Sequence, residues 1–145
     1  MNNEKTILNR LSEIRGTIGN DCIEIDTWLT VKLTDYFFKK NSTQKHDFYW
    51  FIIDETLERK ILLFEKSSYF KKRKYYEKVK ISLRSIQRLR NQLAHWMLIE
   101  NKSNLDAIIL RNPHDAKDFT LTPNTLIEFT KHKEIIKEFL KYSNI

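Results

Sequence analysis

From Thr6 to Phe38 apolar residues return at helical intervals, namely Ile7, Leu11, Ile14, Ile18, Ile25, Leu29, Leu33 and Phe37, and the spacing predicts helix. Gly16 and Gly19 weaken that run, and Asn20 and Asp21 can cap a new segment, so a short helix feeding a longer one is expected. The polar stretch Lys39 to Lys45 reads as a loop. Asp47 is then a candidate cap for a helix carrying Phe48, Phe51, Ile52, Thr56 and Leu57 and continuing through Ile61, Leu62 and Phe64. A basic connection, Lys71-Lys72-Arg73-Lys74, leads into the longest periodic segment, Tyr75 to about Ile99. Its apolar stripe is Tyr75, Val79, Leu83, Ile86, Leu93 and Met97. After it the period changes. Ala107 to Leu110 is a short apolar run, Asn112-Pro113-His114-Asp115 signals a turn, and Phe119 and Leu121 alternate with Thr120 and Thr122. Thr122 and Pro123 form a cap and first helical position for a last helix with Leu126, Phe129, Ile136, Phe139 and Leu140. The pattern predicts an all-α, up-and-down bundle of four to five helices with a small β-hairpin insert near residues 106–122.

Composition narrows the picture. A chain of 145 residues, 41% of them hydrophobic, has material for one core and one domain, 1–145. Two glycines and two prolines are too few for the turns of a β-sandwich, and one cysteine excludes an internal disulfide. No apolar run approaches the roughly 18 residues of a membrane span, and the first residues lack an apolar signal core, so a cytoplasmic protein without a membrane partner is expected. Lys and Arg total 26 against 19 for Asp and Glu, and the resulting +7 attracts polyanions, RNA among them.

On a wheel at about 100° per residue, Arg90 falls within the apolar stripe of the Tyr75–Ile99 segment. A guanidinium is never neutralised, so one placed there must meet an anion, a polar group or a partner chain. Asn91 and His95 lie one turn apart at the edge of the stripe, with Arg84 and Arg88 along the same edge. A fixed cation, an amide and a side chain titrating near neutrality are the parts that phosphodiester cleavage uses. One stabilises the phosphorane charge, and another moves protons to and from the reacting oxygens. A structural alternative is that Arg90 pairs with a carboxylate such as Glu55 or Glu58.

In the context Leu89-Arg90-Asn91-Gln92-Leu93-Ala94-His95-Trp96, an Arg followed by a polar residue and, after four intervening positions, a His resembles the motif of the HEPN-domain family, placed late in a long bundle helix. The resemblance implies a metal-independent endoribonuclease of toxin or phage-defence type, cutting RNA by 2′-hydroxyl attack to leave a 2′,3′-cyclic phosphate. It also implies a homodimer in which two motifs form one composite site, and a possible antitoxin partner. Arg90 would hold the scissile phosphate, His95 would act as general acid or base, and Asn91 would orient them. The hairpin is not part of the family's minimal bundle.

Lys71, Lys72, Arg73 and Lys74, beside Tyr69, Phe70, Tyr75 and Tyr76, form a candidate RNA-contact strip, joined by Arg84 and Arg88. His46, His114, His132 and Cys22 lack metal-ligand spacing, and no glycine-rich phosphate loop exists, so neither metal nor cofactor is expected. Trp28 and Trp50 are expected in the core. The rival reading is a non-catalytic helical module that binds RNA, a nucleotide or a protein through the same basic cleft.

Overall fold

The computed structural model describes residues 3–38 and 42–142. It is an all-α bundle with a small antiparallel sheet. Helix α1 (Asn3–Phe37) is followed by α2 (Thr43–Ile53), α3 (Leu57–Lys66), the single turn α4 (Ser68–Lys71) and α5 (Tyr76–His95). Strands β1 (Met97–Leu98), β2 (Ile108–Arg111) and β3 (Asp118–Leu121) come next, and α6 (Pro123–Lys137) runs into a closing π-turn at Glu138–Tyr142.

Helix α1 is continuous through Gly16 and Gly19, where two helices were expected. The stripe Leu11, Ile14, Ile18, Cys22, Ile25, Leu29 and Leu33 is buried without interruption. That burial outweighs the roughly 1 kcal/mol each glycine costs a helix. The single helix expected over residues 47–64 is instead two. Ser42, not Asp47, caps α2 by accepting from the Lys45 N–H, while Thr56 caps α3 by accepting from the Arg59 N–H. Residues 39–41 of the expected Lys39–Lys45 loop lie outside the described residues, and Thr43 to Lys45 already belong to α2.

Helices α1, α3, α5 and α6 enclose the core. Tyr76 Oη donates to the Glu65 carbonyl at 3.0 Å, and Arg84 reaches the Glu65 side chain, so α3 runs antiparallel to α5 with its C-terminus beside the start of α5. Arg15 of α1 reaches the last turn of α5, so α1 is antiparallel to α5 as well. Lys133 on α6 pairs with Asp21 on α1 at 2.7 Å, and Ser82 on α5 meets His132 on α6. At the closed end, Phe64, Phe70, Tyr76 and Phe139 pack ring against ring. Trp28 is half-buried and packed against the core, whereas Trp50 is 56% exposed and is not the core residue expected.

The sheet has the order β1-β2-β3, with Leu98 opposite Leu110 and Leu110 opposite Phe119. It follows directly on α5 and delivers the chain to α6. There Thr122 and Thr125 form a reciprocal capping box and Pro123 occupies the first turn, as the sequence predicts. Among the described residues, no helix is long and apolar enough to cross a membrane.

Candidate functional site

Helix α3 begins at Leu57, level with Gln87 on its antiparallel neighbour, so the last two turns of α5 project beyond it. The gap is a cleft of about 510 Å³, walled by α5, by Asp26 of α1 and by the α2–α3 turn at Glu55 to Glu58. Arg90, Asn91 and His95 all line it. The stripe geometry thus brings the three residues together, with one change from expectation: Arg90 is exposed rather than embedded. Ala94, its neighbour on that face, is exposed as well, whereas Met97, expected on the same helical stripe, lies beyond the end of α5 in β1, opposite Arg111.

Among the described residues Arg90 makes no hydrogen bond or ion pair. Asp26 and Glu55, two of the carboxylates that line the cleft, are already engaged. Asp26 accepts from Lys60 Nζ at 2.5 Å, and Glu55 accepts from Arg59 at 3.3 Å. Glu58 stands exposed at the mouth. The first turn of α3 opens into the cleft behind Thr56, and its unbonded N–H groups add positive potential to that of Arg90.

Three residues that sequence reasoning missed support this arrangement. Arg15 donates from Nε to the Leu93 carbonyl at 2.8 Å and from Nη2 to the Trp96 carbonyl at 3.5 Å. It satisfies carbonyls left open where α5 ends and so fixes the turn that carries His95. Gln87 is buried against the cleft wall, and its Oε1 accepts from Arg84 Nη1 at 3.0 Å, which fixes the plane of its amide. Lys60 is completely buried, with Asp26 and the Ile53 carbonyl as its partners. Arg15 and Lys60 meet partners on other helices far away in sequence, and the burial of Gln87 is set by the neighbouring helix rather than by its own local pattern.

The remaining candidates are dispersed. Arg84 is tied to Glu65 through two hydrogen bonds of 2.6 and 2.8 Å, which hold the Glu65 carboxyl below its usual range. Arg88 is exposed and opens onto a different cavity. Lys71, Lys72, Arg73 and Lys74 are exposed at the opposite end of α5. Tyr76, where α5 starts, precedes Arg90 by about 21 Å along the axis. Of the aromatics there, Phe70 and Tyr76 are buried, Tyr69 is stacked on Tyr36, and only Tyr75 is exposed, under Lys74. Burial pushes the Cys22 thiol up to about 11, opposed by the nearby Arg90 charge. No group of three or more His, Cys, Asp or Glu among the described residues is placed to hold a metal ion. Comparison with protein-family models, with curated proteins and with solved structures found no match to this chain.

Proposed function

We propose that the Arg90 cleft is the active site of an RNA endonuclease of the HEPN type, in which the 2′-hydroxyl attacks its own phosphodiester and a 2′,3′-cyclic phosphate is left. The observation that carries the reading is the meeting of Arg90, Asn91 and His95 in one cleft, with the guanidinium unpaired among the described residues. A cation left in a cleft without a counter-ion is a seat for an anion, and the adjacent imidazole can move the proton that transesterification requires. Asn91, one turn before His95, is placed to orient the ring or a phosphate oxygen.

The exposed Ala94, one turn after Arg90 on α5, and the exposed Met97 of the adjoining β1 support a two-fold dimer through this end of the bundle. A second copy there would bring a second Arg90 and His95 to the same phosphate. We propose a cytoplasmic toxin or phage-defence role, with an antitoxin as a possible further partner. The single domain spans residues 1–145.

The test is incubation of the purified protein with total RNA in EDTA, with product ends read by their cyclic phosphate. Cleavage that disappears in His95→Ala and Arg90→Ala variants of unchanged melting temperature sustains the proposal. If wild-type protein is inert both in EDTA and with divalent cations, the non-catalytic binding module takes its place.

A further inference from the structure

Helix α5 has a second cavity on its other flank, of about 480 Å³, between α5, β3 and the first turns of α6. Phe119 from β3 forms one wall, half-buried and packed on the core. Arg88 and Gln92 project into it from α5, one turn apart, and Asn124 and His132 from α6. Among the described residues the side chains of Arg88, Gln92 and Asn124 have no hydrogen-bond partner. His132 is held from behind: its Nδ1 lies 2.9 Å from the hydroxyl of the buried Ser82, which leaves Nε2 as the ring nitrogen open to a ligand. The one carboxylate of the lining, Glu128, is exposed and pairs with Lys131 at 3.2 Å.

We infer that this cavity binds a nucleotide unit of single-stranded RNA, with the base against Phe119, its edge met by the carboxamides of Gln92 and Asn124, and its phosphate on Arg88. The chemistry selects this ligand class. A flat aromatic wall serves stacking, two carboxamides offer both donors and acceptors to a base edge, and an unpaired guanidinium fits a phosphate. A bare phosphate would leave the aromatic wall and both amides unused, and an apolar peptide face would strand the arginine. The inference goes beyond cleavage, because it requires no chemistry at Arg90 or His95. It gives Arg88 a role separate from that of Arg90, which lies about 160° round the same helix.

The experiment is titration of the full chain with the four nucleoside 3′-monophosphates and with inorganic phosphate, followed by amide NMR shifts and calorimetry. Expected are shifts at Arg88, Gln92 and Phe119, and tighter binding of at least one nucleotide than of phosphate. Arg88→Ala should weaken that binding about tenfold, as loss of a charge-assisted contact does. Gln92→Ala, a partly exposed site that spares the fold, should alter the ranking of the four bases. The shifts at Arg88, Gln92 and Phe119 should persist in Arg90→Ala and His95→Ala, whatever those variants do to binding in the Arg90 cleft, which separates failure here from failure of the nuclease reading. Equal affinity for phosphate and nucleotides, shifts confined to the Arg90 cleft, or affinity indifferent to Arg88→Ala would each overturn the inference.

Discussion

Arg84 and Arg90 stand six residues apart on one helix, yet the fold treats them in opposite ways. Arg84 lies where α3 runs alongside, and its Nε and Nη2 both donate to the Glu65 carboxylate. Arg90 lies just past the point where α3 begins and meets only open cleft. The difference teaches that a cation's role in this bundle is set by the length of the neighbouring helix. Arg84 braces the closed end, and Arg90 is left available at the open one.

The largest effect expected from breaking this contrast is chemical. Arg90→Ala or His95→Ala should lower RNA cleavage by about 10²–10⁴-fold while shifting stability by less than about 0.5 kcal/mol, since both side chains are exposed. Urea denaturation beside a cleavage assay checks both halves. Arg84→Ala should do the reverse, costing about 1–3 kcal/mol because Glu65 is left without its partner, with cleavage per folded molecule nearly unchanged.

The same brace has a pH signature. Glu65 is depressed in the folded state, so its contribution is present above the ordinary carboxylate value near 4.5 and fades as pH falls through the lower folded value. The stability gap between wild type and Glu65→Gln should therefore narrow below about pH 4.5, as thermal melts across pH 2.5 to 7 will show. A gap that is flat across that range would mean the ion pair adds nothing.

The smallest effect lies in α1. An added Cβ meets nothing within 4 Å at Gly16 or Gly19, so Gly16→Ala and Gly19→Ala should each raise stability by up to about 1 kcal/mol. Loss of stability in either would mean that these positions do not accommodate the added methyl that the open space beside them allows.

What the chain announces in advance follows from range. The bundle class, the hairpin and the Thr122–Pro123 helix start rest on spacings of a few residues, and the structure has all three. The grouping of Arg90, Asn91 and His95 was legible for the same reason, since a helix places residues one turn apart side by side. The break at Asp54 to Thr56 was not, because neither glycine nor proline marks it and only the cap at Thr56 enforces it. Nor was the exposure of Arg90, which depends on where α3 starts. Arg15, Gln87 and Lys60 escaped notice because their partners or their burial are decided by other helices, as with Arg15 and the carbonyl of Leu93.

Lys60 carries a last consequence. Its ammonium is wholly shut away from water, and the carboxylate that compensates it, on Asp26, borders the cleft. Anything bound there that pulls on Asp26 weakens the counter-charge of a group inside the α1–α3 seam, where an uncompensated charge costs about 3–5 kcal/mol. Occupancy of the cleft and cohesion of the bundle are thereby written into a single electrostatic account, and a cationic guest that draws Asp26 away from Lys60 is felt by the whole domain.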